Sequence, residues 1–557
     1  MTKLTQKLQN IAFTRNQLIL ITSAYIALLF NIPFYTKTWQ AVTVNDDYNG
    51  WFVLSVPIVL FLLTLLFHSL ITFKQLLKPV LIVSVCLSSL LFYATYHYGI
   101  IFDYGMIQNS LETDHAEAMS YFNVYALLFF LVFGLFPSCL IYLVKTAQRT
   151  VIKEAVTWGK MVVVASVVLS IVVGVFYVNY AAVGRNNREL TSYITPFKLY
   201  VSAYKYVTRT LTSSPREFHI LDAKPFINKT GATPTVTVLV LGETARAQNF
   251  SLNGYDKPTN QYSSASDLVS FSSVSSCGTA TAVSVPCMFS RLNRKNYDKN
   301  TANSQQNVLD LIQLAGADVT WIDNNNGGCK GVCSRVKTIE IDERSANPLC
   351  DGEYCLDEIL LEYLDDQLST QSNNNRLIVL HMMGSHGPTY YRRYPTEHRI
   401  FTPDCQRSDI QHCSQDELVN TYDNTIAYTD FVLAEIIERL QTLASDKQVS
   451  TNMIYVSDHG ESLGENGVYL HGLPYAFSPK DQTHVPLLFW QSKQASLFDR
   501  QCLMNNRNDS LSHDNFFDIV LGIQSVMTSV YDKNQDALYP CKSISASTLE
   551  SSSAHAE

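Results

Sequence analysis

At 557 residues the chain is too long for one domain, and its charge is uneven: 15 Lys and Arg stand against 8 Asp and Glu over residues 1–215, and 26 against 41 beyond them. The acidic C-terminal part argues against a nucleic-acid partner. The apolar residues, 47% of the chain, crowd into long runs before residue 183 that no single globular core would house.

Five such runs lie at about 17–36, 51–69, 79–98, 122–144 and 161–182. Each is close to the ~20 residues that a helix needs to cross a bilayer and is almost free of charge. Several begin or end in Tyr, Trp or Phe, as interfacial belts do. The first run has no small-residue cleavage site and four more follow it, which argues against a removable signal peptide. Lys3, Lys7 and Arg15 precede the first run, Lys74 and Lys78 lie in the second connection, and Lys145, Arg149, Lys153 and Lys160 in the fourth. The first and third connections are acidic, with Lys37 their only Lys or Arg. By the positive-inside rule the N-terminus is cytoplasmic and everything after residue 183 lies outside.

Residues 1–183 are thus expected to form a five-helix transmembrane domain in a bacterial inner membrane. Residues 184–216 form a linker. Within it Phe197, Tyr200, Val201, Tyr204 and Val207 recur at helical spacing while Lys198, Lys205 and Arg209 ride elsewhere, which predicts an amphipathic helix on the membrane surface. Residues 217–542 are expected to be a periplasmic domain, and the Ser-rich 543–557 a disordered tail.

From 217 onward apolar strands at 235–241, 319–323, 377–382, 453–457 and 485–490 alternate with amphipathic helices at 307–317, 356–368 and about 416–443. That alternation predicts an αβα sandwich around a mostly parallel sheet. Ten of the twelve cysteines fall after residue 276. Their spacings do not repeat as CxxC pairs, and an even set in an outward-facing domain reads as disulfides. Neighbours pair as Cys277 with Cys287, Cys329 with Cys333, Cys350 with Cys355 and Cys405 with Cys413, leaving Cys502 with Cys541.

Ligands of open parallel sheets sit beyond the carboxyl ends of the strands. There the chain reads GETAR at 242–246, GSHGP at 384–388 and IYVSDHGESLGENGVYLHG at 454–472. These stretches bring Glu243, Asp458, His459, His386 and His471 to one rim, the chemistry of a zinc site with spare imidazoles. The loop CGTATAVSVPC at 277–287 offers Thr279, Thr281 and Ser284 as hydroxyls that a metal would activate as nucleophiles.

Taken together, the five-span pattern with GETAR, CGTATAVSVPC, GCKG, GSHGP and SDHGESLGENGVYLHG resembles the lipid A phosphoethanolamine transferases. That family includes the mobile colistin-resistance enzymes and belongs to the alkaline phosphatase/sulfatase superfamily; the likeness runs over nearly the whole chain. It implies zinc held by Glu243, Thr281, Asp458 and His459, with a second ion left open near His386 and His471. It selects Thr281 as nucleophile, gives Lys330, His386 and His471 to the phosphate, and gives Asn109, Thr113 and Glu117 to the donor head group. The implied partners are membrane lipids, phosphatidylethanolamine as donor and lipid A as acceptor, handled by a monomer, and the implied outcome is polymyxin resistance. Gly327 departs from the Ser often found there and takes away one hydrogen bond to the phosphate.

Four other readings compete. A core heptose is an alternative acceptor. A sulfatase needs a small residue and Arg after Ser284-Val285-Pro286, where Cys287 and Met288 stand. A teichoic-acid phosphoglycerol transferase also has five spans and a Thr nucleophile, but fits poorly with the disulfides and SDHGESLGENGVYLHG. A non-catalytic envelope receptor with structural zinc leaves the hydroxyls beside the metal unexplained.

Overall fold

The structure, a computed structural model, describes residues 12–43, 48–72, 75–112, 123–147, 149–212, 216–228, 234–447, 449–495 and 497–543. Thr113, Glu117 and tail residues 544–557 lie outside them. The chain forms two compact units, Met1–Ile107 with Phe122–Leu211, and Gln108–Tyr121 with Thr212–Glu557.

In the first unit, helices α1 (Arg15–Leu29) and α2 (Ile32–Val42) are followed by α3 (Gly50–Ile71) and α4 (Leu77–Tyr98). After α5 (Tyr104–Glu112), whose residues from Gln108 onward belong to the second unit, come α6 (Val124–Leu143), α7 (Val151–Val175) and α8 (Phe197–Thr212). Among the described residues four helices, α3, α4, α6 and α7, are long and apolar enough to cross a membrane, and a fifth span is added if the bent pair α1–α2 counts as one. The 52° bend interrupts the run expected at 17–36. At the bend the Asn31 side chain bonds to Ile26 O and to both backbone groups of Thr195, and Pro33 brings no N–H to the first turn of α2. Helix α7 starts at Val151, ahead of the apolar run at 161–182, because helical bonding continues through Lys153, Glu154 and Lys160, residues that hydropathy discounts.

Helix α8 divides the apolar face read from its sequence. Phe197 and Tyr200 pack on Phe67 of α3, at ring distances of 4.9 and 5.6 Å. Val201, Tyr204 and Val207 stay exposed.

In the second unit an eight-stranded sheet carries β1 (Thr235–Gly242), β2 (Val269–Ser275), β3 (Asp318–Asp323), β4 (Lys337–Glu340), β5 (Arg376–His381), β6 (Ser450–Ser457), β7 (His484–Gln491) and β8 (Leu511–Ser512). The order is β8-β2-β7-β6-β1-β5-β3-β4, and β7 alone runs against the others. Helices α9 (Thr281–Met288), α10 (Val308–Leu314) and α13 (Phe516–Ile523) share one core with Leu239, Leu241, Trp321, Val379 and Val456. Helices α11 (Ile359–Ser369) and α12 (Gln415–Lys447) pack on β5 and β6. Central strands covered by helices read as unbroken apolar runs, and all of β1 beyond Thr235 is buried. Five disulfides join Cys277–Cys287, Cys329–Cys333, Cys350–Cys355, Cys405–Cys413 and Cys502–Cys541.

Candidate active site

The parallel register of β1 and β6 brings Gly242 level with Ser457, so the next residues of both strands, Glu243 and Asp458, leave the sheet together. Asp458 N donates to Gly242 O at 3.0 Å, and Thr244 N to Asp458 Oδ1 at 3.1 Å. Gly384, at φ +54°, turns the end of β5 against this point; a Cβ there would stand 2.6 Å from Glu243 O. Two backbone N–H groups of that turn, at Met383 and Gly384, each donate to buried Asp357 at 2.8 Å.

Glu243, Asp458 and His459 are fully buried, and ligand atoms of all three lie within 4.8 Å of one another. Thr281, the first residue of α9, donates to Glu243 Oε2 at 3.0 Å and stands 3.3 Å from His459 Nε2. His459 Nε2 is 3.3 Å from Glu243 Oε1 and 3.4 Å from Asp458 Oδ2. Ligand atoms of a tetrahedral zinc ion stand about 3.3 Å apart, so the four residues fit that ion. Two further observations agree. Asp458 Oδ2 is buried with no hydrogen bond among the described residues. His459 Nδ1 donates to Gly460 O at 2.9 Å, which turns Nε2 toward the site.

The electrostatics concentrate negative charge. Burial, then the Glu243 charge, push Asp458 up to about 6. Burial opposes charge on His459, yet Asp458 and Glu243 together push it up to about 10. Burial also works against the Glu243 carboxylate, but the His459 hydrogen bond and charge, with the charge of His386, hold it well below the usual range.

Of the other groups given a role by sequence, His471 and His386 lie beside the site. The His471 ring lies 4.4 Å from that of His459 and 5.6 Å from that of His386, and His471 Nδ1 is 3.4 Å from buried Glu461. Lys330 takes a left-handed backbone, φ 51°, next to the disulfide cysteine Cys329; a side chain at Gly327 would reach within 3.0 Å of its Nζ. Thr279 turns away, donating to Leu473 O at 2.6 Å, and Ser284 donates to Asp458 O. Asn109 lies on α5, while Thr113 and Glu117 lie outside the described residues. Sequence reading passed over Asn325, Asp357, Glu461 and His513. Asn325 follows the end of β3, where the strand-end rule would have pointed, but an amide neither titrates nor reads as a zinc ligand.

A covered, nearly parallel sheet with a hydroxyl, two carboxylates and an imidazole meeting at its strand ends defines a sulfatase-like domain of the alkaline phosphatase superfamily. The sequence pattern of the sulfatase family matches residues 235–524, and that described as phosphoethanolamine transferase EptA/EptB matches 59–211. The chain belongs to the phosphoethanolamine transferase EptA family, with 39% identity to phosphoethanolamine transferase EptA of Salmonella typhimurium across 95% of this chain and 97% of that one. Identity to the phosphatidylethanolamine transferase Mcr-1 of Escherichia coli is 37%, over 86% and 90% of the two chains. The solved integral membrane lipooligosaccharide phosphoethanolamine transferase A of Neisseria meningitidis superposes with a TM-score of 0.90 at 35% identity, covering 94% of this chain and 98% of that one.

Proposed function

We propose that this chain, a monomer with five membrane spans and its catalytic domain in the periplasm, transfers phosphoethanolamine from phosphatidylethanolamine to a phosphate of lipid A. The observation that carries the reading is the Thr281 hydroxyl, held within 3.3 Å of both Glu243 and His459 in a buried site. Bound by Glu243, Thr281, Asp458 and His459, zinc would supply Lewis acidity, easing loss of the hydroxyl proton and offsetting phosphoryl charge.

Thr281 Oγ1 attacks the donor phosphorus in line; the Oγ1–P bond forms as the bond to the diacylglycerol oxygen breaks. Lys330 balances charge on the phosphoryl oxygens. An imidazole, His471 or His386, gives the departing diacylglycerol its proton. Phosphoethanolamine stays on Thr281 until a lipid A phosphate oxygen attacks the same phosphorus and releases the threonine. The added amine lowers the net negative charge of lipid A and so weakens its attraction for cationic peptides such as polymyxin.

Donor alone should leave phosphoethanolamine on Thr281, read by peptide mass spectrometry, and Thr281→Ala should abolish both this adduct and lipid A modification in cells. Label on another residue, or modified lipid A from cells carrying Thr281→Ala, refutes the mechanism. Modified core sugar with unmodified lipid A moves the acceptor to the core heptose.

A further inference from the structure

The turn after β3 carries an amide with no role in the steps above. Asn325 Nδ2 donates to Glu243 Oε2 at 3.0 Å and to Met382 O at 3.2 Å, while Oδ1 accepts from Gly327 N at 2.9 Å. Its own N–H is fixed on Asp323 Oδ1 at 2.9 Å, and Asp323 is held by Trp321 Nε1 and His381 Nδ1. The Thr281 hydroxyl also meets this carboxylate, 3.0 Å from Oε2 and 3.2 Å from Oε1. On the other side, a Cβ at position 327 would come within 3.0 Å of both Asn325 Oδ1 and Lys330 Nζ. The carboxamide therefore stands between the carboxylate that meets the nucleophile and the turn that delivers Lys330.

We propose that Asn325 is a positioning residue, its N–H₂ fixing Glu243 in the orientation that ligates the metal and its C=O setting the Lys330 turn, a role that rests on Glu243 being the zinc ligand proposed above. An amide offers a donor and an acceptor from one rigid plane. A ligating carboxylate with one oxygen so tethered keeps the other aimed, and losing such a partner costs about 10- to 100-fold in metal affinity or activity.

Two variants of the full chain, in detergent micelles, separate this role from simple support of the turn. Asn325→Asp keeps an acceptor for Gly327 N but loses the donor to Glu243, whereas Asn325→Ala loses both. Zn²⁺ affinity is read by competition with a chromophoric chelator, with melting curves to follow the fold. Positioning through the donor predicts that both variants lose about 10- to 100-fold in Zn²⁺ affinity, while Asn325→Asp still melts in one cooperative transition. Asn325→Asp binding Zn²⁺ as tightly as the unaltered chain, or more tightly, overturns the role and leaves the reading of Glu243 intact. An unaltered chain that takes up no Zn²⁺ overturns that reading, and the role with it. Should Asn325→Ala fail to fold, the comparison stands on Asn325→Asp, whose acceptor preserves the turn.

Discussion

A neutral imidazole holds the back of the Thr281 helix. His513 Nδ1 accepts from Cys277 N at 3.1 Å, so the ring proton sits on Nε2, which donates to Ser457 O at 3.0 Å; Ser284 lies beside the ring. His513 thus ties the loop before the nucleophile to the strand that carries Asp458. Burial brings it down to about 3. An unfolded His titrates near 6.5, so below that pH the unfolded chain binds a proton that the folded one refuses. The contribution is complete above 6.5 and is lost as pH falls toward 3, at no more than about 1.4 kcal/mol per pH unit. Melting temperatures between pH 4 and 8 should fall more steeply with acid for the unaltered chain than for His513→Gln, which has nothing to protonate. Parallel curves would mean that His513 carries its proton in the folded state. Nothing in SLSHDNFF announces this residue: its partners are backbone groups distant in sequence, and only packing brings them to the ring.

Among the elements, α9 is the one that chemistry depends on and the one least able to stand alone. It has eight residues with Pro286 inside, and isolated helices so short do not form in water. The Cys277–Cys287 disulfide closes the loop around its first turn, and a loop of that length is worth about 3 kcal/mol by restriction of the unfolded chain. Replacing both cysteines by Ser should lower the melting temperature by about 5 °C and reduce phosphoethanolamine labelling of Thr281, both measurable on one preparation. Unchanged labelling with a lowered melting point would mean that the disulfide serves stability alone. How visible each element was in the sequence follows from its surroundings. β1, β5 and β6 stand out as apolar runs because both their faces are covered. β2 does not: Ser270 and Ser272 of VSFSSVS are paired with Asn253 and Asn508, while Val269, Phe271 and Val274 enter the core. β4 is a four-residue edge strand, polar as edges commonly are. The bend between α1 and α2 escaped because hydropathy sums side chains, whereas Asn31 acts through the backbone groups it captures.

At the scale of the molecule, charge and cysteine usage separate along the same boundary. The basic excess lies in residues 1–215, while all ten paired cysteines lie beyond residue 276. Lys and Arg near the spans resist translocation, and on the proposed topology the N-terminus and the connections before α4 and α7 are cytoplasmic. Five disulfides suit an oxidising compartment, the one in which the proposed topology has residues 217–542. The two arguments are independent, one from the cost of moving cations across a bilayer and one from thiol chemistry, and they agree only if the number of crossings is odd. The count therefore turns on α1–α2: with the bent pair as one span there are five crossings, and without it four, which would put the N-terminus and the catalytic unit on the same side. Reporter fusions and thiol labelling resolve this. Alkaline phosphatase, active only where its own disulfides form, should be active when fused after residue 212 and silent when fused after residue 76. It should also be active after residue 48, because α3, α4, α6 and α7 make four crossings between that point and residue 212. The N-terminus decides whether α1–α2 crosses: with Thr2→Cys it should resist a membrane-impermeant thiol reagent added to spheroplasts, whereas labelling there would make α1–α2 re-entrant and place the N-terminus outside, against the positive charge that flanks it.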